Sequence, residues 1–254
     1  MRRALAVAGN TFRETIRDRV LFVIMLFAAL MILASLWLAS ISLGQEQRLM
    51  VDFGLLAVML FGLVVAVFVA ASLVRKEVDK RTVYVLFTKP VGRGEFIWGK
   101  FAGLALTTLL VVAGMGGFLF LLVWAVTGDA LGLLLVATLL VVVQLLAVMG
   151  ATILFSTITS PIIATVLGVT IFIAGQLSHN VLSLSEWSKN PVSTILARAV
   201  FLVVPNLSAV DLRAAIVGET TADWLAIGAW TLYLFAYVTL TLIVATVVFR
   251  RKEF

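Results

Sequence analysis

Residues 53–74 read FGLLAVMLFGLVVAVFVAASLV, with no Asp, Glu, Lys, Arg or His. A helix of about 20 residues is what a hydrocarbon layer of about 30 Å requires. Lipid offers backbone N–H and C=O groups no partner, so a crossing segment must be a helix or belong to a closed barrel. The length and unbroken apolarity of this one exclude a barrel strand. The same charge-free pattern recurs at about 20–43, 101–127, 130–158, 161–177 and 224–249. Six such runs predict an all-α, polytopic membrane protein with six transmembrane helices, read as a single domain over 1–254.

Composition agrees. Of 254 residues, 63% are apolar and 13% charged, against about 45–50% and about 25% in soluble domains. The net charge of +6 raises the question of nucleic acid, but the placement of the charge answers otherwise. Basic residues fall before the first run (Arg2, Arg3, Arg13, Arg17, Arg19), between the second and third (Arg75, Lys76, Lys80, Arg81, Lys89, Arg93, Lys100) and after the last (Arg250, Arg251, Lys252). Only Arg48, Lys189, Arg198 and Arg213 lie elsewhere, among the acids Glu46, Asp52, Asp129, Glu186, Asp211, Glu219 and Asp223. With six spans the basic segments share one side, which the positive-inside rule makes cytoplasmic. Both termini and the 75–100 loop are expected there, with membrane lipid and no nucleic acid as partner. The first run is too long for a signal-peptide core and reads as an uncleaved anchor.

Three segments outside the runs have their own character. In 2–19, Leu5, Ala8, Phe12 and Ile16 recur at helical spacing while most charges fall elsewhere, which predicts a helix lying in the membrane interface. In 75–100, Glu77 and Arg81 sit four apart, in the order that favours a helical ion pair. Val78, Tyr84, Val85, Phe87 and Phe96 are apolar in a segment otherwise exposed to water. Pro90 should end a helix at or before Lys89, and Gly92 and Gly94 allow a turn toward the third run. The segment predicts a short amphipathic helix, a stop and a turn, with aromatics offered to a partner. The stretch 178–223 holds apolar pieces bounded by Pro191, Pro205 and Gly218, each too short to span, and predicts helices that dip into or lie on the outer leaflet. His179, the chain's only histidine, reads as an interfacial polar residue.

Chemistry is scarce. Gly94, Gly99 and Lys100 approach the spacing of a phosphate-binding loop, but Phe101 stands where Ser or Thr should hold magnesium and no strand precedes it. Without cysteine and with one histidine, the usual nucleophile and base pairs and metal clusters cannot be built. No catalytic, cofactor-binding or metal-binding residue is predicted, and the chain is not read as an enzyme. Carriers driven by ion gradients commonly place ionisable groups within the bilayer, whereas these runs offer only neutral polar residues such as Thr107, Thr108, Gln144, Thr152, Ser156 and Gln176. Helix-to-helix hydrogen bonding is their commoner use. Energy for any transport is therefore expected from a separate protein on the cytoplasmic side.

The sequence 75–103, RKEVDKRTVYVLFTKPVGRGEFIWGKFAG, resembles the signature of the permease subunits of type-2 ABC exporters. In that family an acidic residue after the second span precedes a Gly-Thr or Arg-Thr pair, a short helix, a Lys-Pro or Ser-Pro stop, an Arg, a Phe, and a Gly-Lys opening the third span. Here those positions are Glu77, Arg81, Thr82, Lys89, Pro90, Arg93, Phe96, Gly99 and Lys100, with Val91 and Gly92 between them. Looser likenesses are the basic N-terminal segment, the outer VVPNLSAVDLR at 203–213 and the closing FRRKEF. The Arg-Thr pair, where many members have Gly-Thr, leaves the subfamily open.

The resemblance implies a dimer with a second copy of this permease, over two copies of a cytoplasmic ABC ATPase subunit that bind ATP and magnesium. This chain itself would hold no cofactor. A coupling helix at about 79–88 would rest on the ATPase, with Val83, Tyr84 and Phe87 in contact, Glu77 and Arg81 fixing the helix, and Thr82, Lys89, Pro90 and Arg93 completing the motif. The outer segment would form short re-entrant helices, with room for an accessory extracytoplasmic protein. The location implied is the plasma (inner) membrane of a bacterium or archaeon. The alternatives in other classes are an ion-gradient-driven carrier and a non-transporting scaffold that recruits a cytoplasmic protein. Nothing in the sequence names the cargo.

Overall fold

The structure, a computed structural model, describes residues 2–17, 19–41, 46–79, 93–128, 131–187, 204–218 and 221–251, with the backbone alone at helix ends such as 73–79, 93 and 179–187. Helices α1 (Arg2–Ile16), α2 (Arg19–Ile41), α3 (Glu46–Asp79) and α4 (Arg93–Thr127) are followed by α5 (Gly132–Ile158) and α6 (Pro161–Trp187). A 3-10 turn (Ser208–Val210), the one-turn α7 (Arg213–Ile216) and α8 (Trp224–Arg251) complete the order, and no strand occurs among the described residues. The all-α expectation is met.

Five stretches are long and apolar enough to cross a membrane: Glu46–Ser72, Gly94–Thr127, Gly132–Ile158, Pro161–Ser178 and Trp224–Phe249. In α2 the apolar stretch that qualifies is the shorter Ile24–Trp37.

Helix ends follow local chemistry more than apolarity. α4 stops at Gly128, whose φ of 75° is one that a side chain resists, and whose N–H donates to Trp124 O at 2.9 Å. α6 opens on Pro161, which has no N–H to leave unpaired. The Asp223 carboxylate accepts from the N–H groups of Leu225 and Ala226 at 3.1 and 3.2 Å, capping α8. Because lipid thickness does not set these bounds, helices outrun the apolar runs. α3 continues to Asp79, α6 continues to Trp187 and α4 begins at Arg93 rather than near 101. Gly94, expected in a turn, lies in the first turn of α4.

The helices pack around α5, which touches α3, α4, α6 and α8. The most apolar windows of α3 and α5 are each 61% buried, against 33% in α4, α6 and α8. Lipid tails are as apolar as leucine, so helices in a membrane gain little by hiding leucine and associate where small residues permit close approach. Here threonines fill glycine hollows: Thr138 of α5 lies against Gly116 of α4, Thr152 of α5 against Gly168 of α6, and Thr241 of α8 against Gly150 of α5. Their hydroxyls donate within their own helices, to Leu134 O at 2.9 Å, Val148 O at 2.8 Å and Tyr237 O at 3.0 Å. The threonines thus enter the hollows without stranding a donor.

Register fixes the direction of each helix. Gly54 and Gly62 of α3 face Leu119 and Val112 of α4, so these two helices are antiparallel. Gln144 and Thr152 of α5 meet Gln176 and Gly168 of α6 in the same antiparallel sense. At one end, the start of α4 meets the end of α8, with the Phe96 and Phe249 rings stacked at 6.0 Å. α1 packs there too, on Gly103. Both limits of 80–92 lie at this terminal end, while residues 204–218 cover the other.

Candidate functional site

The predicted coupling residues belong to the sequence between α3 and α4 and its two flanks, and those flanks, the end of α3 and the start of α4, lie at the terminal end. Glu77 lies in the last turns of α3 and Arg93 opens α4, each described by its backbone alone. Arg81, Thr82, Val83, Tyr84, Phe87, Lys89 and Pro90 lie outside the described residues. What the structure describes is the platform formed by the helices at the limits of that stretch.

The platform is the first three turns of α4. Because the helix starts at Arg93, positions 96, 97, 100, 103 and 104 share an inward face, and Phe96, Ile97, Lys100 and Leu104 are buried. Lys100, expected at the end of the cytoplasmic 75–100 loop, instead lies within α4 and is 7% exposed, with its Nζ 5.6 Å from the centre of the Phe96 ring. An aromatic face at that distance attracts an ammonium group. Trp98, on the outward side, is 39% exposed and fits an interfacial anchor.

α1 completes the platform with a face that borders the apolar stripe and shares Ala8 with it. Thr11 and Thr15 on this face are buried, whereas Leu5 of the stripe is 71% exposed and open to lipid. Each hydroxyl donates to the carbonyl four residues back, to Val7 O at 2.9 Å and Thr11 O at 2.8 Å. A Cβ on Gly103 would lie 2.5 Å from Ala8 O and 2.8 Å from Thr11 Cβ. Small residues, Ala8 and Thr11, make this contact with the glycine. Gly99 and Gly103 form the small-xxx-small signal that could have revealed it.

Within the bundle, the neutral polar residues divide. Thr107 and Ser156 donate to carbonyls of their own helices, Gly103 O at 3.0 Å and Ile153 O at 2.8 Å. Gln176 of α6 reaches across to Gln144 Oε1 of α5 at 3.0 Å and to Met59 Sδ of α3 at 3.3 Å, which ties three helices by uncharged groups. At the far end Asn206, which the sequence did not single out, is a hub. Its Oδ1 accepts from the Ser178 and Ser208 hydroxyls, both at 2.9 Å, and from Ala209 N–H at 3.2 Å. Among the described residues no three His, Cys, Asp or Glu side chains gather as a metal site.

No curated protein matches the chain. The family model described as ABC-2 family transporter protein matches residues 5–254. That range takes in the platform, the stretch between α3 and α4, the apolar helices and the segment with Asn206. Membership carries with it association with a cytoplasmic ABC ATPase. A multi-pass bundle of apolar helices, matched over nearly its whole length by one family of permeases, belongs to the ABC-2 transporter family as the membrane permease of an ABC transporter.

Proposed function

We propose that this chain is the membrane-spanning subunit of an ATP-driven exporter, in which two copies form the path and each engages one ATPase subunit through residues 79–88. In this reading α2 is the first of six spans, and α1 lies in the cytoplasmic interface with both termini on that side. Residues 178–223 face outward as short re-entrant helices, open to an accessory protein. Glu77, Arg81, Thr82, Val83, Tyr84, Phe87, Lys89, Pro90 and Arg93 couple the chain to the ATPase, which holds the ATP and magnesium. The setting is the plasma membrane of a bacterium or archaeon.

One observation carries the reading most. The stretch 80–92 leaves α3 and returns into α4 at the end of the bundle where α1, the start of α4 and the end of α8 converge, and nearly all the basic residues of the sequence flank that end. Positive flanks mark the cytoplasmic face, where an ATPase would dock. Contacts of α4 with α1, α3, α5 and α8 then offer a route by which movement at the loop reaches the spans.

Co-expression with a candidate ABC ATPase subunit, sought first among the genes neighbouring this one, tests it. The two should purify together, and Tyr84→Ala should lower permease-stimulated ATP hydrolysis by roughly tenfold, about 1.4 kcal/mol of lost docking, while the permease still inserts. If the isolated chain moves solute down an ion gradient with no ATP present, it is a carrier. If it captures a cytoplasmic protein without nucleotide hydrolysis or solute movement, it is a scaffold.

A further inference from the structure

At the end of the bundle opposite the termini, a cavity of about 770 Å³ opens between the start of α3, Gln176 of α6 and the segment around α7. That volume lies within the roughly 300–1,000 Å³ of small-molecule sites. Its mouth is charged on two walls. Arg48 and Asp52 come from the first turns of α3, with Arg48 Nε 3.8 Å from Asp52 Oδ2 and both side chains about two-fifths exposed. Asp211 and Arg213 come from the opposite wall, 3.0 Å apart. Below the mouth the α3 wall turns apolar through Phe53 and Leu56, and the floor is Met59 beneath the Gln176 amide. From Arg48 to Met59 the helix rises about 16 Å at 1.5 Å per residue.

The chemistry of this arrangement selects its ligand. Each wall of the mouth carries one Arg and one Asp, so the mouth is formally neutral and strongly dipolar. A bare anion that approached either arginine would also meet an aspartate within a few ångströms, and a bare cation would meet an arginine. A headgroup with both signs can answer both walls at once. Below the mouth, one apolar helix face ending on a neutral amide accommodates one chain or a drug-sized body.

We propose that this cavity binds a zwitterionic, single-chain amphiphile, its headgroup between the Arg48/Asp52 and Asp211/Arg213 walls and its apolar part along Phe53 and Leu56. What the molecule is bound for rests on the permease reading; whether it binds does not.

The test uses the full chain purified without any ATPase in a non-ionic detergent. The probe is a lysophosphatidylcholine with a photoreactive group near the end of its chain, and the labelled residues are located by mass spectrometry. Label should concentrate on 53–59 and 214–217. Lysophosphatidylglycerol and an alkyltrimethylammonium of equal chain length should each need about ten times the concentration of unlabelled lysophosphatidylcholine to compete. Asp211→Asn can still cap α7 through its side-chain oxygen, and both it and Arg48→Gln should reduce labelling about tenfold. Leu225→Ala, 85% exposed on α8 near the same end, should not change it. Equal competition by all three headgroups, label spread evenly over the outer helix faces, or indifference to both charge variants would overturn the proposal. Such a failure leaves co-purification with the ATPase intact, whereas loss of the ATPase partner leaves the labelling intact, so the two readings fail separately.

Discussion

Both ends of the bundle seat a peripheral piece of chain on a glycine, and they hold it differently. At the terminal end, Ala8 O occupies the space beside Gly103 of α4. At the far end, Pro205 O lies 2.7 Å from where a Cβ of Gly175 on α6 would be. The far contact is reinforced by directed bonds: Leu207 N–H donates to Gly175 O at 3.1 Å, and Asn206 gathers Ser178, Ser208 and Ala209 around one oxygen. At the near contact, the Thr11 and Thr15 hydroxyls of α1 bond within α1, so at Gly103 itself they add close packing and no bond to α4. Packing tolerates small sliding, whereas a hydrogen bond with fixed partners and angles does not. The difference predicts that the Gly103 seat yields to added bulk more readily than the Gly175 seat, where directed bonds cross from one element to the other.

The sharpest way to break this comparison is to fill both seats. Gly175→Val should cost about 3 kcal/mol, the upper part of the overpacking range, because a backbone carbonyl held by neighbouring bonds must move. It should lower the thermal midpoint of the purified protein. Gly103→Val meets a carbonyl just as close, yet α1 can lift away, so global stability should fall by about 1 kcal/mol while a protease gains access to residues 2–17. Equal losses at the two sites would show that α1 is fixed as firmly as the far segment.

Removal of the hub comes next in size. Asn206→Ala takes the acceptor from the Ser208 hydroxyl and the Ala209 N–H, while the Ser178 hydroxyl keeps Gly175 O at 2.8 Å, and should cost about 1–2 kcal/mol, read from the same melting curves. Smallest is Thr11→Val, which keeps the buried shape and deletes a hydroxyl that serves only its own helix. A change within about 0.5 kcal/mol is expected, and a larger one would mean that the hydroxyl, rather than the methyl group, holds α1.

How much of this was legible in the sequence depends on the range over which each signal acts. Continuous apolarity is local, and it located the five long helices that the structure bounds. It could not locate their ends, because a helix such as α4 continues through Gly94, Glu95 and Lys100 once its hydrogen bonds are running. That one error of boundary displaced Lys100, which the earlier start of α4 turns inward onto Phe96. Asn206 was out of reach for another reason. Its partner Ser178 is 28 residues away, and an asparagine between Pro205 and Leu207 looks like any loop residue until the chain is folded. The Gly103 seat stood between these cases: the spacing from Gly99 was visible and Ala8 was already in the apolar stripe, but that Ala8 and Thr11 would meet this glycine depends on how α1 docks. The coupling residues from Arg81 to Pro90 were legible only as a resemblance, and they lie outside the described residues.

The central place of α5 bears on how the protein is made. Its glycine at position 150 receives Thr241 and Val238 of α8, a helix that leaves the ribosome after all the others. Until then, α5 can complete its packing against α3, α4 and α6 but must keep one side open. Chains halted before α8 would therefore carry an unfilled groove along the middle of an otherwise assembled bundle, a mark by which membrane quality-control proteases can distinguish an unfinished subunit from a finished one.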